Sequence, residues 1–91
     1  MTTQLLFQDD AYLQSCEATV TEITEAGIVL DQTVFYPLGG GQPGDTGVLL
    51  RTTGEKITVL DSRKGDAGAV LHITEDYGDV AVGEQITASI D

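Results

Sequence analysis

Six short stretches of the chain alternate polar with apolar or β-branched residues, and turn-forming residues separate each from the next. They cover residues 17–24, 28–31, 46–50, 56–61, 69–74 and 84–90. Alternation with a period of two places successive side chains on opposite faces of a strand, and Val, Ile and Thr suit a pleated, half-buried surface. Gly27 marks a turn between the first two stretches, Thr52-Thr53-Gly54-Glu55 a second turn, and the polar, glycine-bearing 62–68 a third. Residues 75–83 read as loop. Many short strands at even spacing predict an all-β fold, a small barrel or sandwich. Only residues 10–15 suggest a helical turn, with Asp10 available as its cap. At 91 residues the chain is one domain, 1–91, long enough to bury roughly 60–70% of its unfolded surface.

Between the second and third stretches the alternation stops. Thr33-Val34-Phe35-Tyr36-Pro37-Leu38 leads into Gly39-Gly40-Gly41-Gln42-Pro43-Gly44-Asp45-Thr46-Gly47. Glycine allows backbone conformations closed to other residues and close approach to a partner, while each proline fixes its own φ. Such a mixture gives an unusual but defined path, suited to a wall beside a ligand. Gly39, Gly41 and Gly44 fit the spacing of a dinucleotide fingerprint, and Asp61 follows at a suitable distance. The context fails, because that motif must open a helix. Here Pro43 interrupts it and the chain continues as strand. From the residues alone, Thr33 is an ordinary strand residue and the glycines form a tight corner. Phe35 and Tyr36 either cap a pocket or fill the core, since the chain has only two Phe and three Tyr.

This segment resembles the glycine-rich motif of the alanyl-tRNA editing family. The likeness runs from Asp31 through Thr33, Phe35, Tyr36, Gly40, Gly41 and Gln42 to Asp45 and Gly47. A weaker likeness covers the whole chain, and Leu6-Phe7-Gln8-Asp9-Asp10-Ala11-Tyr12-Leu13 is similar to the start of the free-standing members. The resemblance implies a translation-factor-like β-barrel that carries the glycine-rich loop, 39–47, and packs against a zinc-binding α/β domain. It implies a zinc-dependent deacylase that clears serine or glycine from mischarged tRNA(Ala). Thr33, Gly39, Gly40, Gly41, Gln42 and Asp45 then become the substrate-binding residues, with Thr33 and Gln42 facing the amino-acid moiety. A pocket whose polar groups need the serine hydroxyl as a hydrogen-bond partner rejects the analogue lacking it far better than one that merely has room for it.

The family's zinc is held by a His-x-x-x-His pair and a later Cys-x-x-x-His pair. This chain has one histidine, His72, and one cysteine, Cys16. A zinc site needs three or four nitrogen or sulfur ligands, so no metal is expected here and the zinc-bearing catalytic domain is expected to be missing. The implied partners are that domain and the 3′ end of a mischarged tRNA. The rival expectation is a non-catalytic barrel that serves as a binding or interaction module. His72, between Leu71 and Ile73, reads as a structural or surface residue, and the acidic surroundings of Cys16 oppose a thiolate.

Fifteen acidic residues against four basic ones give a net charge of −11. That sign repels phosphates, so the chain is not expected to be the main anchor for RNA. Arg51, Lys56, Arg63 and Lys64 fall close together in sequence and read either as solvated hairpin charges or as one local basic patch. Calcium ligation by Asp76, Asp79 or Glu84 lacks the 12-residue loop pattern such sites use. No stretch is apolar for the ~20 residues a membrane helix needs, and the N-terminus lacks a signal-peptide pattern. Cytoplasmic location is the resulting expectation.

Overall fold

The computed structural model describes residues 3–6, 13–37, 44–65 and 68–90. Eight strands follow in order: β1 (Gln4–Leu5), β2 (Ser15–Ile23), β3 (Gly27–Leu30), β4 (Gln32–Thr33), β5 (Gly47–Arg51), β6 (Lys56–Lys64), β7 (Val70–Thr74) and β8 (Gln85–Ile90). Six of them close an antiparallel barrel in the order β2-β3-β7-β6-β5-β8, with β8 pairing back onto β2. Closure leaves the barrel sheet without an open edge among the described residues. β1 and β4 add a two-stranded parallel pair in which Gln4 faces Gln32 and Leu5 faces Thr33.

Alternation sets the core. Ala18 and Val20 of β2, Leu49 of β5, Ile57 and Val59 of β6, and Ile86 and Ala88 of β8 are buried, while Thr58 and Leu60 turn outward. Val34 and Phe35, which follow β4, complete the cluster. Phe35 is the largest side chain with no exposed surface. It fits because its Cζ lies over Gly47. A Cβ at Gly47 would come within 2.8 Å of the Ile90 Cα and 3.0 Å of Phe35. Gly47→Ala is therefore expected to lower the unfolding free energy by about 1–3 kcal/mol, read from urea midpoints, because a packed core resists added volume.

The six expected barrel strands are present, with shifted ends. β6 runs to Lys64, three residues beyond the expected 56–61, because Ser62, Arg63 and Lys64 pair with His72, Leu71 and Val70 of β7. The register slips between Val59 and Asp61. Strict alternation would have sent Asp61 inward after Ile57 and Val59; the slip leaves Asp61 half-buried and turns Ser62 into the core. The helical turn expected at 10–15 is corrected in part. Asp10 to Tyr12 lie outside the described residues, but Ser15 already belongs to β2. The Gln14 carbonyl accepts the Ile90 N–H at 2.9 Å, which holds the chain extended against β8 instead of letting it coil.

The N-terminal piece is tied across β3 and β7. The Thr3 hydroxyl donates to the Leu30 carbonyl at 2.8 Å and accepts the Val70 N–H at 3.0 Å. Among the described residues, no helix is long and apolar enough to cross a membrane.

Candidate functional site

The described chain reaches Pro37 and resumes at Gly44, and these two ends of the glycine-rich segment form a neck. Leu38, Gly39, Gly40, Gly41, Gln42 and Pro43 lie outside the described residues. The neck is bound by a reciprocal pair. The Asp45 N–H donates to the Tyr36 carbonyl at 2.9 Å, and the Tyr36 N–H donates to the Asp45 carboxylate at 2.9 Å. Asp45, expected to bind substrate, is in the described structure the side chain that closes this ring.

β6 fastens the ring from one side. The Ser62 hydroxyl donates to the Asp45 carbonyl at 2.8 Å, and the Ser62 N–H donates to Asp61 Oδ1 at 2.8 Å. The Gly44 amide also donates to the Asp61 carboxylate. Burial pushes that carboxyl up, but the Ser62 amide, Arg63 and the Gly44 amide together bring it below its usual range. Only glycine fits at position 44, because a Cβ there would meet Asp61 Oδ1 and the Ser62 amide nitrogen at 2.7 Å. Sequence reasoning missed Asp61 and Ser62 as parts of the site. The signal was the slip itself: an aspartate falling on the inward phase of an alternating strand demands either a partner or a bulge.

A second network holds the other end of the neck from inside the barrel. Thr33 and His72 have no exposed surface. His72 Nδ1 lies 2.9 Å from the Ile28 carbonyl, which can only accept, so Nδ1 carries the proton. Nε2 is then bare, and it accepts the Thr33 hydroxyl at 2.7 Å. The Thr33 oxygen in turn accepts the Phe35 N–H at 3.0 Å. The Phe35 ring meets the imidazole edge-on, at 5.1 Å between centroids and 85° between planes. Burial lowers the His72 pKa to about 4 against a small opposing pull from the Ile28 carbonyl, so the ring is neutral at pH 7. The expectation of a structural or surface role for His72 resolves to structural.

The described donors do not fit zinc. Both His72 nitrogens are committed. Cys16 is half-buried on β2, and its thiol is pushed up by burial, drawn back by the Val34 amide and pushed up again by Asp31. No group of three or more His, Cys, Asp or Glu side chains that could hold a metal ion forms among the described residues.

The four cations do not make one patch. Lys56 and Lys64 are the first and last residues of β6, about 26 Å apart at a rise of ~3.3 Å per residue. Arg51, at the Lys56 end, is enclosed by carboxylates: both oxygens of Glu84 at 2.7 and 2.9 Å, Glu55 at 2.6 Å and Asp79 at 2.6 Å. These contacts hold Asp79 and Glu84 below the usual carboxylate range. Arg63 pairs with Asp61 at 3.2 Å. Lys64 borders an apolar-lined cleft of about 270 Å³ with Leu5, Pro37, Gly65, Ala69 and Val70, which opens beside the outgoing end of the glycine-rich segment.

Residues 4–91 match the model of the family described as tRNA synthetases class II (A). The chain is 37% identical over 89 residues to the alanyl-tRNA editing protein AlaX-M of Saccharolobus solfataricus and 39% identical to that of Pyrococcus horikoshii. These matches cover 98% of this chain and 38% and 39% of those proteins. It is 45% identical over 89 residues to the alanine–tRNA ligase of Methanothrix thermoacetophila, covering 98% of this chain and 9% of the ligase. The chain thus spans about two fifths of the AlaX-M proteins and about a tenth of the ligase. Matched over nearly its whole length by the family model, this six-stranded barrel belongs to the class II (A) tRNA synthetase family.

Proposed function

We propose that the barrel forms one wall of the pocket in which an alanyl-tRNA editing deacylase holds the ester between tRNA(Ala) and a wrong amino acid, serine or glycine. The observation that carries this reading is the doubly fastened neck. A segment of three glycines, a glutamine and two prolines is held at one end by Thr33 and His72 and at the other by Asp45, Asp61 and Ser62. A slack linker needs no such anchoring, whereas a wall of fixed shape beside a ligand does. The backbone of Gly39, Gly40 and Gly41 and the amide of Gln42 supply the contacts and Asp45 sets their mouth, while Thr33, enclosed in the core, holds the strand end from which the segment starts.

The barrel positions and does not hydrolyse. Its described residues do not fit zinc, and the two acid–base candidates that fasten the neck are taken up: His72 is enclosed and Asp61 is committed to amides and Arg63. Metal-assisted activation of water therefore falls to a partner domain outside these residues. The charge of −11 and the dispersal of the four cations also assign most of the grip on tRNA to that partner.

Deacylation of tRNA(Ala) charged with serine, with zinc present, tests the division of labour. The 91-residue chain alone is expected to leave the ester intact beyond its spontaneous hydrolysis. Turnover by the chain alone, abolished by a chelator, would refute the proposal.

A further inference from the structure

We infer that the cleft beside Pro37 is a nucleotide subsite, in which Lys64 takes a phosphate from the single-stranded end of a tRNA and the apolar floor takes the adjoining base. That the nucleotide belongs to a tRNA rests on the proposed function; that it is a nucleotide rests on the cleft alone. Three distant pieces of chain build the cleft. Leu5 ends β1, Pro37 follows β4, and Lys64, Gly65, Gly68, Ala69 and Val70 make the turn from β6 into β7. Hydrogen bonds fix these pieces to one another. The Thr3 N–H donates to the Gly68 carbonyl at 3.3 Å, the Thr3 hydroxyl accepts the Val70 N–H at 3.0 Å, and the Gly65 N–H donates to the Ala69 carbonyl at 2.8 Å. Pro37, Ala69 and Val70 are buried and form the floor, while Lys64, Gly65 and Gly68 are exposed at the rim. A cleft of about 270 Å³ lies just below the ~300 Å³ at which pockets begin to hold drug-sized ligands. It suits one nucleoside and excludes a folded chain.

Charge singles this cleft out. The chain has fifteen carboxylates, yet none lines the cleft among the described residues. Arg51 and Arg63 are paired with carboxylates, and Lys56 borders a cleft shared with Glu55, Glu75 and Asp76. Lys64 makes no ion pair among the described residues. On its other side it borders a recess of about 470 Å³ lined in part by Glu22, whose carboxylate repels a phosphate and directs the anion to the Pro37 side. Two of the amides at the cleft are already committed, that of Gly65 to Ala69 and that of Val70 to Thr3. The base is therefore held by apolar area, and the phosphate by an ammonium with three donors. Gly65 is the second mark of a site. Its backbone is outside the left-handed region, and a Cβ there would meet only the Ala69 Cβ at 3.5 Å, an ordinary contact. At Gly44 and Gly47 a Cβ would strike backbone. What a side chain at position 65 would take up is the space of the cleft.

Titration of the 91-residue chain with AMP, adenosine, inorganic phosphate and the trinucleotide CCA, followed by ¹⁵N amide shifts, tests the inference. AMP is expected to move the amides of Gly65, Ala69 and Val70 and to bind about fivefold more tightly than adenosine, roughly the upper worth of one exposed charge contact. That advantage is expected to shrink as salt is added. Lys64→Gln is expected to erase it and leave adenosine binding unchanged, and Lys64→Arg to keep it. Gly65→Leu, which fills the cleft, is expected to abolish binding of both. Absent AMP binding, AMP shifts confined to another face, or an unchanged AMP affinity in a folded Lys64→Gln or Gly65→Leu variant would overturn the inference. So would inorganic phosphate binding as tightly as AMP with no response to adenosine, which would mark a bare anion site. CCA is expected to move the same amides and displace AMP; binding without displacement would overturn the assignment to a tRNA end in favour of a free nucleotide. The proposed function fails separately. Turnover of serine-charged tRNA(Ala) by the chain alone would refute the division of labour and leave these titrations standing, whereas absent AMP binding would remove the subsite and leave that division intact.

Discussion

Phe35→Ala is expected to lower the unfolding free energy by about 3–5 kcal/mol, the usual cost of emptying a buried aromatic site. Phe35 is the largest fully buried side chain, packed with Val34, Leu49 and Ile86 in the barrel core. Collapse around the gap is restricted on two sides. Gly47 beneath the ring has no side chain to move in, and the backbones of β5 and β8 are fixed by their pairing. The ring also shields His72, so its loss admits water to the imidazole and weakens the Thr33 contact. Domains of this size are typically stable by about 5–10 kcal/mol, so the variant is expected to be partly unfolded at 37 °C. Urea unfolding monitored by circular dichroism reads the effect directly. A loss below about 1 kcal/mol would place Phe35 outside the core, as a cap over the pocket, which was the other role its sequence position allowed.

Acid should weaken the fold through His72 before it reaches the carboxylates. The folded pKa of His72 lies at about 4 because burial disfavours the charged ring, whereas an unfolded histidine titrates near 6.5. The unfolded chain therefore takes up the proton first. The stability contributed by a neutral His72 is complete above about pH 6.5, is lost as the pH falls toward about 4, and changes no further below that. At 1.36 kcal/mol per pH unit the whole window is worth about 3 kcal/mol. The groups facing the ring are Thr33, Phe35 and the Ile28 carbonyl, none of which titrates there. The depressed carboxyls of Asp61, Asp79 and Glu84 act in the same direction but lower, since their contribution is lost only below the ordinary carboxylate range. Between pH 6.5 and 4.5, unfolding free energies from urea curves are thus expected to fall by roughly 1.4 kcal/mol per pH unit in the wild type. His72→Gln should flatten that slope. A wild-type slope near zero would mean that water reaches the ring.

The barrel was legible in the sequence because each strand carries its own evidence. Ala18 and Val20, Ile57 and Val59, and Ile86 and Ala88 announce an inward face without reference to any other part of the chain. Where a long-range contact decides, local pattern fails. The extra length of β6 comes from the pairing of Ser62, Arg63 and Lys64 with β7, past the register slip between Val59 and Asp61, rather than from the alternation of residues 56–61. Gln14 is extended because a β8 amide binds its carbonyl. The site divides in the same way. Likeness to a known motif drew attention to Thr33, Gln42 and Asp45, and proline and glycine marked the ends of the segment. Nothing near Thr33 in sequence points to His72, and nothing in an aspartate at position 61 announces that it gathers two amides from different elements. Those partners became visible only once the barrel closed.

We propose that this barrel supplies one wall of an editing pocket and that hydrolysis depends on a separate domain. A chimera tests it most directly: the 89 residues of Pyrococcus horikoshii AlaX-M that align with this chain are replaced by this barrel, and deacylation of serine-charged tRNA(Ala) is measured. Zinc-dependent turnover by the chimera is expected, reduced at least tenfold by Gln42→Ala, in line with the worth of a hydrogen bond made to the reacting ester. A folded, zinc-loaded chimera with no turnover would contradict it.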